Sequence, residues 1–455
     1  MIINNCNIIT WETENRIISD QALLIRAGKI VKIGPAEQLI KDNPAEEVID
    51  AKKQYVMPGN ICAHTHFYGA FARGMGIPGS APKDFPEILQ KLWFRLDQAL
   101  DRESVGYSAE VCIIDAIRHG TTTLIDHHAS PDFISGSLDV IAEIVERTGV
   151  RASLCYEVTD RGGVQRMKDG VEENLRFIRQ VEASHPAEGR INALFGLHAG
   201  LTLSEETLSY CRQANNTGKG FHIHVAEHPA DEFDSIAKSG LRAVDRLYKH
   251  GILGKNSIVA HAVHVDTKET NLLAETGTWV THQPRSNMNN AVGMAQIESM
   301  LRAGVRLGLG NDGMSNDMWE EWKATYFAHK LWHRDPRRVP ATDIQQMAIY
   351  NNAQLASEHF NVGKIGSIEV GAQADLIFVD YHPFTPLTPG NLPWHIVFGF
   401  HSSMITATMV AGKFLMKDRA LLTVDEEKVA CEALKIAPSV WKKFQDLSTQ
   451  NLEVM

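Results

Sequence analysis

The chain has 455 residues, more than one ordinary core supports, so a large domain with a smaller companion or an α/β barrel with additions is expected. A formal net charge of −10 argues against a nucleic-acid backbone as partner, and no apolar run reaches the ~18 residues of a membrane span. Six cysteines (Cys6, Cys62, Cys112, Cys155, Cys211, Cys431) stand singly, with no CxxC pair. That usage suits a reducing cytoplasm, the expected location, and excludes a cysteine-built zinc site. The opening stretch MIINNCNIITWETEN has no basic start ahead of an apolar core, so it does not read as a signal peptide.

Residues 1–56 read as β structure, with QALLIRAGKIVKIG forming a hairpin turned at Ala27-Gly28-Lys29. GSIEVGAQADLIFVDY and SMITATMVAGKFLMKDRALL, within 361–424, are again strand-like and punctuated by glycine. Neither end holds enough strands to stand alone, so the two are expected to join in one small β-sandwich domain. Residues 425–455 read as a helical segment packed on or near that domain.

Between the ends, over 57–360, strands and helices alternate. The strand candidates are NICAHTH, TTLIDHH, RASLCYEV, INALFGLHA, GFHIHVAE, SIVAHAV, TWVTHQP and VRLGLGND. Eight β units with amphipathic helices between them have the rhythm of a (β/α)8 TIM-like barrel, with a doubly wound open sheet as the competing layout. Barrels carry their chemistry at the C-terminal ends of several strands, and the polar residues fall there.

His64 and His66 sit two apart at the end of the first barrel strand and so project from one face. Two neutral imidazoles converging on one point is how a protein grips a transition metal. The other strand ends supply Asp126-His127-His128, Tyr156-Glu157, His198, His222 with His224 and Glu227, His261 with His264, His282, and Asp312. Single core histidines are common; histidines at the same end of nearly every strand form a functional pattern.

One rival motif, GLGNDG from Gly308 to Gly313, satisfies GxGxxG after a strand. A dinucleotide reading fails because Asp312 would push a carboxylate at the pyrophosphate, and because this is the last β unit rather than the first. HExxH, GxSxG, GxxxxGK[ST] and the HxE…PCxxC pattern of nucleic-acid deaminases are all absent.

The set and its order resemble the amidohydrolase superfamily, in its cytosine/guanine-deaminase and triazine-hydrolase branch, over essentially the whole chain. The resemblance rests on MPG…HTH followed by ARG, GTTT, H.A, HxxE, AH..H, HQPRSN and DG.SND, and on GSIEVGAQADLIFVD near the end. IDHHASP, RSNMNN and DMWEEWK look closest to the SsnA-type aminohydrolases within it.

By that resemblance His64, His66, His224 and Asp312 hold one divalent metal, most plausibly zinc with Fe²⁺ as the alternative. Three imidazoles and one carboxylate suit either ion independently. His198 stands where binuclear relatives carry a lysine, which favours a mononuclear site. The implied chemistry is attack by a hydroxide generated on the metal. Asp312 takes the water's proton, His261 orients the water, and Glu227 protonates a ring nitrogen as the amine leaves. His198, His128, Arg161 and Asn287 are the candidate substrate contacts. Asp126, His127, Glu157, Asp160 and Arg285 also border the expected pocket.

The sequence departs from the family pattern at Ala260-His261-Ala262, Asn311 and Gly200-Leu201-Thr202, all around the substrate. The expected function is a metal-dependent aminohydrolase that deaminates a purine, pterin or pyrimidine. One alternative is hydrolysis of a cyclic amide, or of a chloro or alkylamino group on a triazine-like ring. A second, from another class, is a catalytically silent barrel kept for binding or assembly. Relatives imply a homo-oligomer, a dimer or higher, with a small heterocycle as the only other partner.

Overall fold

The computed structural model describes residues 1–184 and 189–450. Its strands, in chain order, are β1 Ile2–Ile9, β2 Ile17–Arg26, β3 Lys29–Pro35, β4 Val48–Asp50, β5 Tyr55–Pro58 and β6 Asn60–Thr65. β7 Thr121–Asp126, β8 Arg151–Leu154, β9 Ile191–Ala193, β10 Phe195–Ala199, β11 Phe221–Val225 and β12 Ile258–His261 follow. β13 Trp279–His282, β14 Arg306–Leu309, β15 Leu376–Val379, β16 Ile405–Val410, β17 Lys413–Lys417 and β18 Ala420–Leu421 complete the set.

The two ends of the chain share one sheet, in the order β18-β17-β16-β15-β5-β1-β2-β3, with β4 beside β1. The hairpin between β2 and β3 turns at Ala27 and Gly28, both at positive φ (46° and 76°), as a two-residue turn requires. That turn reaches across to the other end of the chain: Ala374 N donates to Gly28 O at 2.8 Å, and Gly412 N donates to Ala374 O at 3.0 Å. Ile3, Ile8, Leu23 and Ile30 from the first end pack in one buried core with Leu376, Phe378 and Met409 from the second.

The remaining strands build a TIM-like barrel of parallel ladders, β6-β7-β8-β9 and β10-β11-β12-β13-β14. The expected fourth strand, Ile191 to Ala199, is two pieces. At Leu194 the chain changes neighbours: Leu194 N donates to Leu154 O at 3.1 Å and Phe195 N to Gly220 O at 3.0 Å.

The barrel closes between β14 and β6 through side-chain and loop contacts. Asn352, fully buried at the start of helix Asn352–Phe360, donates to Ile61 O at 2.8 Å and Leu309 O at 2.9 Å. It also accepts from Leu309 N at 3.0 Å, so one amide ties both strands. Gly310 lets the chains approach, because a Cβ there would meet the His64 backbone at 2.7 Å. The glycine of GLGNDG thus serves strand packing.

The C-terminal helix runs from Glu426 to Gln450, and residues 451–455 of the expected helical segment lie outside the described residues. It packs on the barrel helices Phe94–Ala99 and Arg102–Arg118, and its first turn lies near the terminal sheet, since Arg118 also donates to Arg419 O at 2.7 Å between β17 and β18. Trp441 Nε1 donates to Phe71 O at 2.9 Å, and Glu426 pairs with Arg118. An apolar stripe matches helix against helix there, whereas the terminal sheet already buries its own core. Among the described residues no helix is long and apolar enough to cross a membrane.

Candidate active site

His64, His66, His224 and Asp312 come together at the C-terminal mouth of the barrel, with one donor atom from each within 4.8 Å of every other. The route is local. Asn311 N and Asp312 N both donate to His64 O, at 2.9 and 3.1 Å, which docks the end of β14 on the end of β6. Asp312 (φ 57°) and His261 (φ 74°) adopt left-handed backbone, a strain of order 1–3 kcal/mol that tends to collect at functional sites.

Each imidazole is aimed by its other nitrogen. His66 Nδ1 donates to His127 O at 2.5 Å, and His224 Nδ1 donates to His198 O at 2.7 Å. Their Nε2 atoms therefore face one another at 3.1 Å. Asp312 Oδ1 lies 3.0 Å from His64 Nε2 and 3.1 Å from His66 Nε2. His64 Nδ1 is 2.9 Å from His222 Nε2, so a second histidine, from β11, holds the first in place.

The donor set fits a divalent cation. Burial holds His64 down at about 3 and His224 well below the usual imidazole range, so both present lone pairs at neutral pH. His66 goes the other way. Burial opposes its charge, but the bond and charge of Asp312 prevail and lift it to about 9. A positive charge is therefore favoured at the point where the four groups meet, and a metal satisfies that demand with four ligands of suitable type.

Glu227 and His261 stand beside this cluster. His261 Nδ1 donates to Asn287 Oδ1 at 3.0 Å, which leaves Nε2 buried without a hydrogen-bond partner, 3.5 Å from Glu227 Oε2 and 3.7 Å from Asp312 Oδ2. Ser286 Oγ donates to Asp312 Oδ2 at 2.5 Å, and Asn290 Nδ2 donates to Glu227 Oε1 at 3.4 Å. Burial and then the charge of Asp312 push Glu227 well above the usual carboxylate range. Asp312 is driven well below it: burial opposes its charge, but His261 and the two ring nitrogens outweigh that. The two carboxyls are thus pushed in opposite directions, the pattern by which a site can separate a proton donor from a proton acceptor.

A cavity of about 900 Å³, including its opening to solvent, lies against the cluster. Among the residues that line it are His66, His224, Glu227, Asp312, His198, Glu157, Asp97, Ser286 and Asn290. An aromatic wall of Tyr68, Phe85, Trp93 and Phe94 faces them. His198 is fixed by Thr202, 2.7 Å from Nδ1 to Oγ1.

Three expected substrate contacts do not line this cavity. His128 is fully buried and bonded through Nε2 to Ser130 Oγ at 2.9 Å. Arg161 lies behind the wall, paired with Asp97 at 2.6 Å and stacked 3.8 Å from the Phe94 ring centre. Asn287 is fully buried and accepts from His261 Nδ1 through Oδ1, while its Nδ2 makes no hydrogen bond. Of the bordering residues, Arg285 pairs with Glu321 at 2.5 Å, and Asp160 accepts from Ser204 N at 2.7 Å. Conversely, Ser286, Asn290, Asp97 and the aromatic wall were not singled out by sequence. Ser286 and Asn290 were within reach, since four residues apart in RSNMNN they share a helical face.

Comparison with known proteins places these features. The family description "Amidohydrolase family" matches residues 55–415. A 5'-deoxyadenosine deaminase of Methanosarcina mazei is 32% identical over 443 residues, 96% of this chain and 97% of that protein. A 5-methylthioadenosine/S-adenosylhomocysteine deaminase of Pelotomaculum thermopropionicum is 30% identical over 446 residues, 96% of this chain and 98% of that protein. Among solved structures, an adenosine deaminase from Xanthomonas campestris with bound zinc superposes with a TM-score of 0.82, at 23% identity, over 98% of both chains. With both the match to residues 55–415 and relatives aligned nearly end to end, the chain belongs to the amidohydrolase family.

Proposed function

We propose that the chain is a metal-dependent aminohydrolase that deaminates a small nitrogen heterocycle, specifically the amino-substituted ring of an adenosine-type purine. The observation that carries this reading is geometric: Glu227 and Asp312 flank His261 Nε2 at 3.5 and 3.7 Å in one cavity, beside the cluster of His64, His66, His224 and Asp312. The deaminase relatives, matched over nearly their whole length, support the substrate class.

His64, His66, His224 and Asp312 would hold one divalent ion, zinc in this proposal. When bound, the ion supplies Lewis acidity that lowers the pKa of water toward about 7. The protein's own groups do the rest. Asp312 Oδ2, held by Ser286, accepts the attacking water's proton. His261 Nε2, between the two carboxyls, positions that water. Glu227 delivers its proton to the ring nitrogen beside the carbon under attack, so charge does not accumulate on the ring; Asp312 then passes the proton it took to the departing amine, the new hydroxyl returns its proton to Glu227, and ammonia leaves from the tetrahedral carbon. His198 hydrogen-bonds the heterocycle from the opposite wall, and the aromatic residues stack on it and exclude bulk water.

The same proposal takes the terminal sheet, residues 1–56 with 361–424, as a β-sandwich domain beside a barrel domain of 57–360 and the helical segment 425–455. The shared core of its two ends supports this. It also takes the enzyme as a cytoplasmic homo-oligomer. The reading is tested by incubating the zinc-loaded protein with purine nucleosides, pterins, pyrimidines and chlorotriazines and following ammonia. Ammonia from adenosine-type nucleosides supports it; chloride release or ring opening without ammonia contradicts it.

A further inference from the structure

Helix Met318–His333 is apolar on two sides, and the barrel uses only one of them. Its inner side buries Met318, Trp319 and Trp322, pairs Glu321 with Arg285 at 2.5 Å, and sets His329 Nε2 3.1 Å from His282 Nε2. Its outer side carries Phe327, Leu331 and Trp332, and the neighbouring helix Leu392–Gly399 adds Trp394 and Phe398. The rings of the two helices touch: Phe398 lies 6.1 Å from Phe327 and 5.5 Å from Tyr326, centre to centre. Lys330 is drawn inward, its Nζ 3.7 Å from the Tyr326 ring centre and donating to Arg338 O at 2.6 Å.

Phe327, Leu331, Trp332, Trp394 and Phe398 are between 37% and 80% exposed. At ~150–250 Å² per large side chain, that exposure leaves on the order of 600 Å² of apolar surface in water. A stable interface covers roughly 800 Å² on each partner, with an apolar core and a polar rim. One contiguous patch therefore supplies most of what a dimer needs, which single exposed apolar residues do not.

The helix is also complementary to itself. Phe327 is at its middle, and Glu320 and Arg334 stand seven residues before and after it, two turns either way. Glu320, paired with Lys323 at 2.9 Å, is still 43% exposed. Arg334, which ends the helix, is exposed and has no ion pair among the described residues. A copy laid antiparallel about a two-fold axis at Phe327 would stack the two Phe327 rings and lay each Leu331 on the partner's Ala324. It would also set each Glu320 against the partner's Arg334, so opposite charges meet at both ends of the contact.

We infer that two copies of the chain pair through this face, helix Met318–His333 against itself, antiparallel about an axis at Phe327. The inference goes beyond the deaminase reading and gives the proposed homo-oligomer its surface. The pairing would also brace the active site from behind, because a Cβ on Gly293, in the loop after Asn290, would meet Trp332 at 3.6 Å.

The test is analytical ultracentrifugation of the full-length, zinc-loaded protein. At about 10 μM the parent should sediment at twice its chain mass of 50.6 kDa. Phe327→Glu should sediment as a single chain, with metal content and circular dichroism unchanged. Glu320→Arg and Arg334→Glu, each alone, should weaken the dimer about tenfold or more by opposing like charges. The two combined should restore it. Both positions are exposed, so this pair decides the matter even if Phe327→Glu fails to fold. Phe327→Cys, made together with Cys431→Ser to remove the exposed native thiol, should cross-link into a dimer on mild oxidation. A dimer that survives Phe327→Glu forms elsewhere on the chain, which overturns the inference and leaves a homo-oligomer standing. A parent that stays single overturns both, and its flotation with phospholipid vesicles would assign the patch to a membrane surface. Charge variants that leave the dimer unchanged, or weaken it without mutual rescue, overturn the antiparallel pairing.

Discussion

Glu227 and Asp312 flank a single imidazole nitrogen, His261 Nε2, at 3.5 and 3.7 Å, and their surroundings drive the two carboxyls to opposite charge states. Burial and the neighbouring charge push Glu227 above the usual carboxylate range, while for Asp312 the imidazoles of His261, His64 and His66 outweigh burial and hold it below that range. In the proposed mechanism these are the proton donor and the proton acceptor, on either side of the nitrogen that would position water.

The metal should bind with a pH dependence set by His66. Lifted to about 9, its ring carries a proton in the metal-free protein at neutral pH, and a metal must displace it. Apparent zinc affinity should rise about tenfold per pH unit up to about 9 and then level off. In the metal-free protein the same shift stabilises the fold fully below the ordinary 6.5 and is lost as pH rises through about 9. Calorimetry in buffers of different ionisation heat should find close to one proton released per zinc near pH 7.5. A pH-independent affinity would remove His66 from the ligand set.

Asp312→Asn should lose activity and retain metal poorly, because it removes an anionic ligand together with the proton acceptor. Metal analysis after gel filtration and a turnover assay check both arms. Normal turnover would show that another group accepts the proton. The parent protein should carry about one zinc or iron per chain; two tightly held equivalents would contradict a mononuclear centre.

His198 does two separable jobs. Its carbonyl aims His224, and its ring lines the cavity. His198→Ala removes only the ring, so kcat/KM should fall about ten- to hundredfold with metal content unchanged. Loss of metal in that variant would mean that the ring is itself a ligand.

The closure of the barrel predicts a purely structural effect at Asn352. Asn352→Leu keeps bulk but strands the Ile61 and Leu309 carbonyls and the Leu309 N–H in the core. The cost should be about 2–4 kcal/mol in denaturant unfolding. A change below about 0.5 kcal/mol would show that the strands close without it.

The barrel was legible because β6, β7, β12 and β13 each carry an apolar run ending in a polar group, and polar residues follow closely on β8, β11 and β14. The break at Leu194 was not, since an unbroken apolar stretch reads as one strand whichever neighbour each half pairs with. The metal cluster could be read from spacing and resemblance, because His64 and His66 share a face on any strand. The cavity wall could not. Phe85 to Ala99 form one continuous helical stretch, whose apolar spacing marks a packed face without showing that this face lies over the mouth after β6. Arg161 and His128 are held by Asp97 and Ser130, 64 and 2 residues away, because a polar side chain near a strand end turns outward or inward according to such partners.

The decisive experiment is Glu227→Gln, assayed for ammonia released from 5'-deoxyadenosine by the zinc-loaded protein. The substitution preserves shape and most hydrogen bonding but cannot carry the proton. Turnover should drop about 10²- to 10⁴-fold, the range for loss of a general acid, with metal content and nucleoside binding unchanged. The parent's alkaline decline, from Glu227 losing its proton, should vanish from the variant's residual rate. A kcat within about twofold of the parent would contradict proton delivery by Glu227, and with it the deamination mechanism built on that residue.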